Sequence, residues 1–420
     1  MAFLAAACSD NDASSSGSAP PSSSPTNEAT ADTSGVETSA PETSAPETSA
    51  PAVTGDPVKV MMILDESEAL GISIQPAHDG AQARIERLNA EGGLSGHPVE
   101  IEFCATEFDP TKAAACAQAA IDDPSYVAVV GSVSTQMDAV NPLLESAGMA
   151  SVGTLPLSGT DLASIVAFPT NGGLVTGVGG LVVIASQDLQ ATTINNGRIG
   201  VEAAAQGTQL MDLVLSGYNA GPINKAVDIE PGAADVSAQV AAMAEGADVV
   251  VLSVSSEMFQ QIMQARAQQG ITVPFVASDG QISAEALNAL GSAANGTPVA
   301  AYYPTDDTDV PGIRAYLADL DAIGAADSSG GTAKNGWLAI DLLAHAMDGA
   351  ITVDRTSILD AMNAVTDYDG GGLTPTLDFT AAPPNPLFPR LFNLSFFTAE
   401  IQDGKVVKVG DTDLRSVFNS

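Results

Sequence analysis

The sequence predicts an α/β protein of two doubly wound parallel-sheet lobes carried behind a long polar N-terminal segment. Three observations carry that expectation: the length, the alternation of short apolar runs with helix-length amphipathic segments, and a sharp change of composition near residue 56. At 420 residues the chain exceeds one ordinary core and has room for two lobes with some surplus. The surplus is a tail. From residue 9 to 56 the sequence is Ser, Thr, Ala, Pro, Glu and Asp, with an APETS unit repeated through 36–52. So little apolar surface cannot offset backbone ordering, which costs about 1 to 2 kcal/mol per residue, and a disordered, Pro-stiffened tether is expected.

From Val58 onward, β-branched apolar runs at Val58–Leu64, Val99–Phe103, Tyr126–Gly131, Ile199–Ala203, Ala247–Val254 and Val273–Ala277 read as strands buried on both faces. Between them lie Ile72–Ala90, Thr111–Asp122, Gln136–Ser146, Gln206–Tyr218, Ala234–Glu245 and Glu257–Gln269, whose apolar residues recur at three and four spacing, as amphipathic helices require. The alternation runs through two stretches separated by the Gly-rich segment Asn171–Gly180, which predicts two lobes. Near the C-terminus, Leu391–Thr398 and Lys405–Val409 flank Asp403-Gly404, a dipeptide suited to an antiparallel hairpin turn.

Lys and Arg total 14 against 51 Asp and Glu, a formal charge of -37, which repels phosphate backbones and argues against nucleic-acid binding. No stretch of the body holds about 18 uncharged apolar residues. The three histidines, His78, His97 and His345, are scattered and no CxxC occurs, so no metal site is expected. No phosphate loop, nucleophile elbow or histidine beside a nucleophile motif is present, and neither catalysis nor a cofactor is expected.

Cys104 ends one predicted strand and Cys116 sits in the helix that follows, so a disulfide can staple helix to sheet in an oxidising compartment. Cys8 follows Leu4-Ala5-Ala6-Ala7 and precedes Ser9-Asp10, which resembles the end of a bacterial lipoprotein signal. A truncated signal over 1–8 is expected on that basis, with lipidation at Cys8 on an exported protein.

In open α/β sheets, ligands bind beyond the carboxyl ends of strands. After the strand at Tyr126 comes Gly131-Ser132-Val133-Ser134-Thr135, immediately before a helix, where amides and hydroxyls can cradle a carboxylate. Hydroxyl residues are also ordinary helix caps. Thr154 and Ser158 add hydroxyls after the next short strand, although turn chemistry explains them equally. In the second lobe, strands end at Ser255-Ser256 and at Ser278-Asp279-Gly280. Asp279 can take an ammonium, and anion donors on one lobe facing an acid on the other suit a zwitterion.

Asp79-Gly80-Ala81, the run from Asn89 through Gly92-Gly93-Leu94-Ser95-Gly96, Asp109-Pro110, Val129-Val130-Gly131-Ser132, Ser278-Asp279-Gly280, Trp337–Ala350 and the glycines Gly370-Gly371-Gly372 together resemble the branched-chain amino-acid type of periplasmic binding protein. The resemblance runs from Val58 to the C-terminus. It implies a type I fold: lobe 1 from 57–169 and 299–373, lobe 2 from 170–298 and 374–420, joined by a three-stranded hinge. It also implies an ABC permease as partner, with membrane contact only through the lipid anchor. Ser132 would hold a ligand carboxylate and Asp279 its ammonium, with Ser134, Thr135, Thr154, Ser158 and Ser255 nearby. Where tyrosines often line the second lobe of such proteins, this sequence has Ser255 and Ala205-Gln206-Gly207, which shifts the expectation towards a polar amino acid, an amide or urea. A sensory receptor using the same closure is the alternative to transport.

Overall fold

A computed structural model describes residues 53–68, 72–306, 309–383 and 388–414, with the side chains of 202 and 203 left out. Cys8 and the tether, apart from its last four residues, lie outside the described residues. Within those four, the amides of Thr54 and Gly55 donate to the Gly96 carbonyl.

Strands β1 (Val58–Leu64), β2 (Val99–Ala105), β3 (Tyr126–Val130), β4 (Ala150–Val152) and β5 (Ala167–Phe168) build a sheet in the order β2-β1-β3-β4-β5, and every pairing is parallel. Helices α1 (Gln75–Ala90), α2 (Pro110–Asp122) and α3 (Met137–Ala147) make its crossovers. β1 and β3 are almost wholly buried, which is why their sequences show apolar runs and no alternation. Cys104 in β2 and Cys116 in α2 form the disulfide expected from their placement.

The chain then passes through α4 (Gly173–Val183) into a second sheet built from β6 (Ile194–Ile199), β7 (Lys225–Ile229), β8 (Val249–Ser253), β9 (Phe275–Ser278) and β10 (Pro298–Ala301), with β11 (Ser395–Gln402) and β12 (Lys405–Asp413) added from the C-terminal part. Its order is β12-β11-β10-β9-β8-β6-β7. Pairings from β7 to β10 are parallel, whereas β10, β11 and β12 pair antiparallel. The hairpin turn is Asp403-Gly404, with φ of 50° and 77°, the left-handed pair such a turn requires. Helices α5 (Glu202–Gly217), α6 (Ser237–Ala244), α7 (Ser256–Gln268) and α8 (Ala284–Leu290) cover this sheet. Between β10 and β11 the chain returns to the first lobe as α9 (Pro311–Ala322), α10 (Gly331–Ala346) and α11 (Arg355–Ala364), whose apolar faces join the core of β1, β3 and α1.

Two local expectations change. The strand expected at Ile199–Ala203 lies earlier, at Ile194–Ile199, and α5 already begins at Glu202. Both asparagines of β6, Asn195 and Asn196, are fully buried. The Asn195 amide donates to Met243 O and that of Asn196 to Val251 O; hydrogen-bonded in this way, polar side chains are tolerated inside. The Gly-rich segment expected as a separator is largely helix α4. Its glycines serve close packing: a methyl on Gly180 would press on Ala300 and Phe396.

The chain crosses between lobes after β5, after β10 and before β11. A buried polar cluster ties these crossings together. The Tyr303 hydroxyl bonds with Thr170 Oγ1 at 3.0 Å and Asn335 Oδ1 at 3.1 Å, and Asn393 donates to Thr170 O at 3.0 Å. Asn335, in α10, also donates to Gly153 O at 3.1 Å.

Candidate functional site

Both sheets reverse strand order next to the first strand of the lobe, between β1 and β3 and between β6 and β8. Loops leaving such neighbours diverge to opposite faces, so a crevice opens at the carboxyl end. Asp65 stands at the end of β1 and Ser132 to Thr135 at the end of β3; Ser255 follows β8 and Asp279 follows β9.

In the first lobe the turn is occupied from within. Ser134 Oγ donates to Asp65 Oδ1 at 2.6 Å, while the amide and hydroxyl of Thr135 both donate to Asp65 Oδ2 at 2.6 Å. Thr106, after β2, adds a bond of 2.5 Å to Asp65 Oδ1. The carboxylate cradled by the hydroxyl turn is therefore the protein's own, and Asp65 ties the ends of β1, β2 and β3 together. Its position was visible in the sequence, at the end of the first strand, but nothing local marks it as the partner of a turn some 70 residues away.

Ser132 is fully buried, and its Oγ accepts the Ile63 amide at 3.1 Å. Thr154 Oγ1 shares a bond of 2.7 Å with Ser151 Oγ. Ser158 lies over Asp161, to which its amide donates at 3.0 Å. Burial pushes the Asp161 carboxyl up to about 6. Ser255 caps α7, accepting the Met258 amide at 3.3 Å.

Asp279 is placed differently. It leaves the second lobe and lies against the first turn of α10 in the first: a methyl on Gly331 would sit 2.7 Å from Asp279 Oδ2. Oδ2 accepts the Tyr302 amide at 3.3 Å. Oδ1 is buried without a hydrogen-bond partner, an unusual state for a carboxylate oxygen. Desolvation pushes this carboxyl up to about 7, against the opposing pull of Lys334.

Asp279 lines a cavity of about 360 Å³ whose wall draws on both lobes: Ile282, Leu287 and Asn288 from the second, Leu317, Gly330, Gly331 and Lys334 from the first, and Tyr303 to Asp306 from the crossing between them. That volume is within the range of small-molecule sites. Lys334, only 5% exposed, pairs with Asp306 at 2.6 Å. The turn at Ser132 does not contribute to this wall. From the sequence Asp306 reads only as a solvated helix-end or loop charge, and Lys334 goes unnoticed because it stands inside a helix and not at a strand end. No cluster of metal-ligating side chains occurs among the described residues.

The family model for periplasmic binding proteins matches residues 57–385. The chain belongs to that family. Its members are extracytoplasmic substrate-binding proteins, and this periplasmic binding protein has the two-lobed type I architecture. Among solved structures it is similar to a fatty acid ABC transporter substrate-binding protein from Thermomonospora curvata (18% identity, 89% of this chain and 96% of that one, TM-score 0.74). It is also similar to a leucine-binding protein, LivK, from Thermotoga maritima (19% identity, 85% and 99%, TM-score 0.68). A third likeness is to the branched-chain amino acid transporter protein LivJ from Streptococcus pneumoniae in complex with isoleucine (18% identity, 84% and 99%, TM-score 0.68). At such identities the likeness speaks for the fold. No curated protein matches.

Proposed function

We propose that this periplasmic binding protein is the solute receptor of an ABC importer, capturing a small polar solute, an amino acid above all, between its lobes and performing no covalent chemistry. The observation that carries this reading is the cavity walled by both lobes, into which a buried, unpartnered carboxylate oxygen of Asp279 is built. An oxygen in that state gains most from a donor such as an ammonium group, because no water competes for it. Contacts made to both walls at once favour the closed arrangement, and that shape is what a permease would recognise. Ser132, Thr154, Ser158 and Ser255 follow the carboxyl ends of β3, β4 and β8, while Ser134 and Thr135 shape the first-lobe loop through Asp65. A lipid on Cys8, followed by the polar tether, would hold the receptor at the outer face of the membrane.

A thermal-shift and calorimetric panel of amino acids, amides, urea and sugars tests the reading. A solute should bind to the wild type, and Asp279→Ala should weaken it by about 10- to 100-fold, as for loss of a charge-assisted hydrogen bond, while the far-UV spectrum is unchanged. Equal affinity in Asp279→Ala removes the ammonium site; a panel in which nothing binds removes the proposal.

A further inference from the structure

We propose that Lys334 is the second pole of this cavity, so that the solute carries an oxygen acceptor within a few bonds of the nitrogen donor received by Asp279. The inference rests on the solute-receptor reading above and names the chemistry its ligand must have. Four observations converge. In the hydroxyl turn of the first lobe, the Ser134 hydroxyl and the amide and hydroxyl of Thr135 are already taken by the Asp65 carboxylate. The cavity that contains Asp279 is lined instead by the start of α10, through Gly330, Gly331 and Lys334. The leading amides of a helix have no intrahelical acceptor and present positive charge. Beside them stands a lysine that is almost wholly buried and pairs with Asp306.

An ammonium group has three donors, and a carboxylate or carbonyl oxygen in the cavity can take one that Asp306 does not. The opposite pole is Asp279, whose Oδ1 has no hydrogen-bond partner and, when the carboxyl is ionised, can only accept. Two carboxylates, Asp279 and Asp306, stand against two lysines, Lys334 and Lys405, so the formal charges of the lining sum to zero. A lone carboxylate leaves Asp279 without a donor, a lone amine leaves Lys334 without a second acceptor, and either adds net charge to a balanced lining. A compact zwitterion or a primary amide satisfies both poles without adding net charge. These two share the recognised chemistry, and matched probes separate them.

Isothermal calorimetry of the full chain with L-alanine, propionamide, propionate and n-propylamine makes the test. The wild type should bind L-alanine or propionamide and prefer either to propionate and n-propylamine; which one it takes identifies the source. Lys334→Met, similar in length but uncharged, should lower that affinity by about 10- to 100-fold, the loss expected for a hydrogen bond to a charged group, and leave n-propylamine unaffected. Asp306→Asn, which removes the competing negative charge, should strengthen it, so an effect of opposite sign guards against a mere folding defect in Lys334→Met. Unchanged affinity for L-alanine and propionamide in Lys334→Met overturns the proposal, as does wild-type preference for propionate or n-propylamine, or no binding of any of the four. If another solute of the wider panel binds through Asp279 yet ignores Lys334→Met, this inference fails while the receptor reading stands.

Discussion

Asp279 couples burial to ionisation, and pH is the variable that exposes it. Desolvation raises its carboxyl from an ordinary 3.8 to about 7, so between those values the folded protein holds a proton that the unfolded chain has released. The contribution of Asp279 to the stability of the ligand-free protein then falls as pH rises from about 4 to about 7, because this group holds more of its proton in the native state throughout that window. Asp161, raised to about 6 by burial, acts with the same sign. Denaturant titrations at several pH values should show a shallower decline in Asp279→Asn than in the wild type, and identical slopes would deny Asp279 this role. Solute affinity should run the other way, rising as pH climbs through about 7, since only the ionised carboxylate attracts an ammonium group.

At the scale of elements, the first lobe depends on how closely α1 and α10 approach. Gly80 of α1 lies on the Ala333 carbonyl, and Gly336 of α10 lies on the Ala77 carbonyl, so a methyl on either would collide with backbone. Backbone cannot swing aside as a side chain can, and overpacking of this kind costs about 1 to 3 kcal/mol. Gly80→Ala should lower the denaturant midpoint by a corresponding amount and shift the start of α10, which carries Lys334. An unaltered midpoint would mean that the two helices can separate without loss. The glycines at 80 and 336 were readable as residues but not as a crossing point. The same limit explains β6: its buried asparagines are stabilised by carbonyls of Met243 and Val251, partners that a local window does not contain. By contrast β1, α2 and the Asp403-Gly404 hairpin are legible, because apolar runs, helical spacing and turn chemistry are properties of the segment itself.

For the whole molecule, covalent and non-covalent ties divide the work. The Cys104–Cys116 disulfide closes a loop of 12 residues and staples α2 to β2 at one edge of the first sheet. Restricting the unfolded chain over so short a loop contributes about 3 kcal/mol in the chain-entropy model. The Cys104→Ala, Cys116→Ala double variant should lose roughly that amount in denaturant titration while keeping the solute affinity of the wild type, because the bridge lies outside the cavity. A large loss of binding with normal stability would place the bridge in the ligand site instead. The hinge is held differently, by hydrogen bonds among Thr170, Tyr303, Asn335 and Asn393, which link all three crossings to the helix whose first turn lines the cavity.

By itself the sequence determined the alternation of buried strands and covering helices, the hairpin, and the closeness of the two cysteines, since each follows from periodicity or short-range spacing. Tertiary structure alone decided which carboxylate fills the hydroxyl turn, and that Asp279 of one lobe meets Gly331 and Lys334 of the other. Strand order and lobe apposition make those neighbours, and residues so far apart in the chain have no local pattern that could announce the contact.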